Sequence, residues 1–174
     1  LVALGRLPHR PFFAAPNAVD AARVDQALRE TDMLALAKRR VDTLSGGELA
    51  RASFARVLAG ESDWILADEP LANLDPAHQR DVLRLLRMAA DRGKGVVVVL
   101  HELTAAAALA DDVIILKHGE LQASGPAADV LTSAILSEAF DIALDVVVHQ
   151  GQLAILPHDP LTGSASLAPK PPAA

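Results

Sequence analysis

The chain has 174 residues, a formal net charge of −6 and no cysteine. That length supports a domain with its own core, and the missing cysteines remove disulfide frameworks and thiolate metal sites, as suits a reducing compartment. The acidic balance disfavours nucleic acid, whose phosphates are held by clustered Lys and Arg; the nearest cluster, Lys38-Arg39-Arg40, reads as a solvated helix end.

Residues are 51% apolar but only 3% aromatic, which favours Ala- and Leu-rich helices packed on a few buried strands. The longest compact apolar run, Val96–Leu100, is strand-sized and far short of the about 20 residues a membrane-crossing helix needs. The chain opens on Leu1 with no charged-then-apolar leader, as expected of a segment cut from a longer protein.

Residues 1–60 read as helical, with turns at Pro8, Pro11 and Pro16. Asn17 and Asp20 predict a helix start, with Ala21, Val24 and Leu28 on its buried face. A second short helix is expected after Thr31. Ser45-Gly46-Gly47-Glu48 has the form of a capping box and predicts a helix from Gly46 to Ala59.

From Glu61 the pattern alternates. Trp64–Ala67 is a continuous apolar run, as expected of a strand covered on both faces. Asp75-Pro76 supplies an N-cap acceptor and a proline at the first helical position. Val82, Leu83, Leu86 and Ala90 form the expected face of that helix, which stops at Gly93. Val96–Leu100 is a second buried strand, so strand, helix and strand make the βαβ unit of a parallel sheet. A helix after Thr104, a strand over Val113–Leu116, a tight turn at His118-Gly119 and a strand over Leu121–Ser124 follow. A helical stretch after Pro126 leads to strands Leu144–His149 and Leu153–Leu156 around Gln150-Gly151. The proline-containing tail, 157–174, is expected to be disordered.

Four places carry candidate chemistry. Ser45–Glu48 reads either as a plain helix cap or as an anion site, because a helix N-terminus presents unpaired N–H groups and two glycines allow close approach. Asp68-Glu69 puts adjacent carboxylates at the C-terminal end of a buried strand, where α/β sheets place ligands. They either turn outward to solvent, or Asp68 holds Mg²⁺ through its water shell while Glu69 orients and deprotonates an attacking water. Asp75 is an N-cap and a candidate subunit contact. His101 follows the second strand and should emerge on the same sheet edge as Asp68 and Glu69, in reach of a phosphate oxygen. His9, His78, His118, His149 and His158 lack metal-ligand spacing and read as surface residues.

In this order the motifs resemble the ABC ATPase family along nearly the whole chain. Leu44–Glu48 is similar to the signature motif, Ile65–Asp68 to the Walker B strand and Glu69 to the catalytic glutamate. Leu71–Asp75 is similar to the D-loop and His101 to the switch histidine. Ala3–His9 further resembles the importer subgroup serving iron chelates, haem and cobalamin. Glu102 stands where aspartate is common and Ala72 where serine is frequent, and no G-x-x-x-x-G-K-[ST] P-loop or glutamine loop occurs.

The resemblance implies a partial α/β P-loop NTPase core of RecA-like type. Residues 1–60 would be a helical subdomain ending in the signature helix, 61–156 the rest of the core with C-terminal β-hairpins, and 157–174 the tail. It implies ATP and Mg²⁺ as cofactors, and a head-to-tail pair of ATPase subunits with each ATP between one P-loop and the other's signature helix. Ser45, Gly46, Gly47 and Glu48 would face the partner's ATP, with Asp75 at the subunit contact; Asp68, Glu69 and His101 would serve the ATP of this subunit's own P-loop. Transmembrane permease subunits would be the other partners, with no nucleic acid and with membrane contact only through them, on the cytoplasmic side of the inner membrane. The parent would hydrolyse ATP to import a small solute; this chain alone would be inactive and would expose apolar sheet edges. A soluble ABC-type ATPase of DNA repair or translation and a non-catalytic P-loop-less regulatory module are the alternatives.

Overall fold

The helix starts written into the sequence form as their capping residues dictate. In a computed structural model that describes residues 1–11 and 14–158, Asn17 caps α1 (Ala18–Glu30) and Ser45 caps α2 (Gly46–Ala59), each through a complete reciprocal capping box. Asp75 caps α3 (Pro76–Asp91) with Pro76 in its first turn. The expected tail lies almost wholly outside the described residues. The chain divides into two compact units, Leu1–His101 and Glu102–Ala174.

In the first unit a 3-10 segment, Val2–His9, packs with α1 and α2 around Val2, Ala27, Leu28, Met33, Ala52, Ala55 and Ala59. Small residues dominate this core because the helices approach closely. Ala21 is exposed rather than buried, and its place inside is taken by Asp20. That carboxylate is committed to Arg6, which donates from Nε to Asp20 Oδ1 (3.1 Å) and from Nη1 to Ala59 O (2.7 Å) and Glu61 Oε2 (2.6 Å). A buried charge is tolerable because each end is paired and hydrogen-bonded. The segment after Thr31 forms two short 3-10 turns, Leu34–Leu36 and Val41–Thr43, rather than an α-helix, and Thr31 closes α1 with its hydroxyl bonded back to Ala27 O (2.9 Å).

Strands β1 (Trp64–Asp68) and β2 (Gly95–Val99) pair in parallel with α3 as the crossover. Ile65 is buried, while Ala67, Val96 and Val98 on the same face are half-buried. Trp64, Leu66, Val97 and Val99 share the opposite face and are exposed, so the expectation of two covered faces fails. The reason is topological: the sheet has only these two strands among the described residues, and its helical cover lies on one side. The buried side of α3 is Val82, Leu85, Leu86 and Ala89, while Leu83 and Ala90 flank it half-buried.

The second unit begins with α4 (Leu103–Leu109) and continues into hairpin β3 (Asp112–Lys117) and β4 (Glu120–Pro126). Helices α5 (Ala127–Val130) and α6 (Ser133–Phe140) lead to hairpin β5 (Leu144–His149) and β6 (Gln152–Pro157). Both hairpin loops, His118-Gly119 and Gln150-Gly151, have two positive-φ residues, which matches the twist of the flanking strands. The core gathers Ile115, Val130, Leu131, Leu136, Leu144 and Ile155. No described helix is long and apolar enough to cross a membrane.

Candidate functional site

The parallel pairing of β1 and β2 aligns Asp68 with Val99, so both strands end at the same edge. The ladder continues one step, with Glu69 N–H donating to Val99 O (3.1 Å). Glu69 itself adopts φ +45°, a left-handed conformation that costs a non-glycine residue about 1–3 kcal/mol and is uncommon before a proline such as Pro70. This turn takes its side chain off the strand's alternation and towards the neighbouring strand end.

There it meets His101. His101 Nε2 lies 2.7 Å from Glu69 Oε1. A carboxylate only accepts, so Nε2 carries the proton of that bond and, in a neutral ring, Nδ1 is left as an acceptor. The pair stands largely open, with His101 75% and Glu69 50% exposed at the side chain. Asp68, one residue earlier, is exposed and has no side-chain partner among the described residues. An unpaired carboxylate at a strand end is a hard oxygen donor, which suits Mg²⁺, a cation that keeps most of its waters and takes one or two protein carboxylates beside phosphate oxygens. Among the described residues no three His, Asp or Glu converge as a ready-made metal cage.

At the start of α2, Ser45 Oγ accepts from Glu48 N–H (3.2 Å) and Glu48 Oε2 accepts from Ser45 N–H (2.7 Å). The backbone N–H of Ser45 holds the Glu48 carboxyl below the usual carboxylate range. The cap reading of Ser45–Glu48 is therefore realised. Ser45 and Gly46 are exposed at the positive end of the helix, with the Ser45 side chain also bonded to the Glu48 carboxylate. Cap and anion site are compatible here.

Asp75 Oδ1 accepts from the N–H groups of Ala77 and His78 (both 3.0 Å), and its Oδ2 takes the His78 ring at Nδ1 (2.6 Å). These contacts, the His78 backbone N–H first among them, lower the Asp75 carboxyl from its ordinary value. His78 is therefore no plain surface residue: its ring packs on buried Gly47. The D-x-x-H spacing was the available signal. Arg6 also escaped sequence reasoning, because its partners lie up to 55 positions away.

Two structural groupings thus emerge inside the first unit. Asp68, Glu69 and His101 share one sheet edge, whereas Ser45, Gly46, Gly47, Glu48 and Asp75 gather where α2 meets α3.

Known proteins share sequence and fold with this chain. The family model described as ABC transporter matches residues 7–72. The hemin import ATP-binding protein HmuV of Rhodococcus jostii is 40% identical over 171 residues, covering 98% of this chain and 54% of that protein. HmuV of Thermobifida fusca is 45% identical over 150 residues, covering 86% of this chain and 52% of its own length. The chain thus spans about half the length of the curated relatives it matches. Among solved structures, an inward-facing metal-chelate type ABC transporter superposes with a TM-score of 0.82 at 31% identity, over 90% of this chain and 64% of that one. A dimeric bacterial ABC transporter cassette gives 0.59 at 30% identity, over 72% and 54%. Ordered motifs, shared fold and sequence identity together make this chain a member of the ABC transporter ATP-binding family, carrying part of that family's α/β P-loop NTPase fold.

Proposed function

We propose that the full-length protein carrying this chain hydrolyses ATP to drive import of a small solute, a haem-type iron chelate, through a membrane permease. The observation that carries the reading is the 2.7 Å contact of His101 with Glu69 beside the unpaired Asp68, at the strand ends of a parallel sheet. In it Glu69 is the general base that orients and deprotonates water, His101 fixes Glu69 and answers to the γ-phosphate, and Asp68 holds Mg²⁺. Held by Asp68, Mg²⁺ would supply the positive charge that offsets the charge of the phosphoryl transfer.

Ser45, Gly46 and Gly47 face the ATP of a second, head-to-tail ATPase subunit, with Glu48 holding the cap and Asp75 at the contact. The names of the relatives, hemin import proteins, support haem over cobalamin or a siderophore. The protein then works peripherally on the cytoplasmic face of the inner membrane. No G-x-x-x-x-G-K-[ST] occurs in these 174 residues, so the grip on the β- and γ-phosphates has to come from outside them and the chain alone is inactive.

The test is ATP turnover by the full-length protein reconstituted with its permease, with uptake of haem, a ferric siderophore and cobalamin measured in parallel vesicles. Haem uptake that requires ATP and stops with Glu69→Gln is the expected result. Turnover by the purified 174-residue chain that Glu69→Gln abolishes, or transport of cobalamin alone, would overturn it.

A further inference from the structure

The contact of His78 with Gly47 lies within the α2–α3 grouping, and through Asp75 it ties α2 to the loop that begins at Glu69. A Cβ added to Gly47 would lie 1.7 Å from His78 Cδ2, 2.2 Å from Nε2 and 2.4 Å from Cγ. The ring thus occupies the space a side chain would need. It cannot easily swing away, because Nδ1 is tied to Asp75 Oδ2 at 2.6 Å, and Asp75 is itself pinned by capping two N–H groups of α3. About one turn along, Arg51 of α2 reaches Asp81 of α3 at 3.5 Å, a second link between the two helices. Alongside, Gly46, Leu49, Ala50 and Ser53 of α2 and Pro70, Ala72, Asn73 and Leu74 of the loop line one open hollow.

We propose that His78 is a positioning residue that locks the loop from Glu69 to Asp75 onto the glycine end of α2. Resting on the ATPase reading above, it makes the segment carrying the catalytic base and the helix end facing the partner's nucleotide move as one body. Gly47 is glycine because the imidazole fills the space of its side chain, while its neighbour Gly46 is the exposed glycine of the pair. A misplacement of about 1 Å at a helix end that must meet a phosphate can cost up to about a hundredfold in rate.

The test uses the full-length protein. His78→Ala is expected to lower kcat for ATP about ten- to a hundredfold, with nucleotide affinity of the separated subunit unchanged, since its own phosphate grip does not involve α2. His78→Asn, which keeps a donor for Asp75, is expected to recover part of the loss. Thermal melts of Gly47→Ala, His78→Ala and the double variant supply an independent readout: the Gly47→Ala penalty should largely vanish in the His78→Ala background. Additive penalties, or wild-type kcat in His78→Ala while Glu69→Gln is dead, overturn the role of His78 and leave the ATPase reading standing. Turnover that survives Glu69→Gln removes Glu69 as the base, and the positioning role with it, whereas no ATP turnover at all by the full-length protein sinks the ATPase reading itself.

Discussion

In the helical region Ala27, Met33, Ala55 and Ala59 are each at most 2% exposed, whereas on the sheet Trp64 is 64% and Leu66 79% exposed. Both regions are written in apolar residues, and only one is closed. The helical region closes because a 3-10 segment and two helices form a three-sided cluster, with Arg6 stitching its ends to Asp20, Ala59 and Glu61. The sheet has α3 on one face and nothing among the described residues on the other. Apolar strands satisfied on a single face are the half of the molecule whose burial this chain does not complete. Glu69, His101 and Asp68, the proposed base, its partner and the proposed Mg²⁺ carboxylate, stand at the end of that open sheet, so the proposed chemistry sits where the fold is least self-sufficient.

The sharpest way to break this contrast is chemical. Glu69→Gln in the full-length protein is expected to reduce ATP turnover by about 10²–10⁴, the usual contribution of a general base, as read by phosphate release. Turnover within a few-fold of wild type would mean that the open edge holds no catalytic base.

Next in size is packing. Leu86→Ala, which empties one of the most completely buried sites, is expected to cost about 2–5 kcal/mol in a denaturant melt. Ser45→Ala removes the acceptor of the α2 capping box and should cost about 1 kcal/mol by the same measurement.

The charge network gives a pH signature. Asn17 backbone N–H, backed by Arg6, holds the Asp20 carboxyl below its ordinary value, and Glu48 and Asp75 are lowered by their caps. Carboxyls depressed on folding contribute fully above the ordinary carboxylate range, near pH 4, and lose that contribution as pH falls through their lower folded values. Melting temperature followed by circular dichroism should therefore be flat down to about pH 5 and fall below it. Asp20→Asn should lower the plateau and flatten that fall; an unchanged slope would remove Asp20 from the network.

The smallest effect belongs to the bare face. Leu66→Thr is expected to change stability by no more than about 0.5 kcal/mol in the isolated chain while improving its solubility. A loss like that of Leu86→Ala would show that this face is packed after all, and the contrast would collapse.

Much of the molecule was legible because its signals act within one turn of chain. The N-cap residues Asn17, Ser45 and Asp75 bond to groups two or three positions on, so their offsets alone define α1, α2 and α3. The strand–helix–strand alternation and the Gly-containing hairpin loops are local in the same sense. The order of motifs, and with it the family, needed nothing more. Expectation went wrong where it depended on what lies across from an element. Ala21 and Asp20 exchanged places because Arg6 arrives from another segment, and the strands lost a covered face because no neighbour among the described residues supplies it.

The sequence by itself determined where helices begin, which strands run in parallel and which residue types reach the sheet edge. Only the tertiary structure decided that Glu69 turns into a left-handed conformation and bonds His101, 32 positions away. It alone also decided that His78 fills the space above Gly47 while leaning on Asp75. The physical reason is range: a cap is set by the offset between two residues of one turn, whereas these contacts exist only once β1, β2, α2 and α3 have docked.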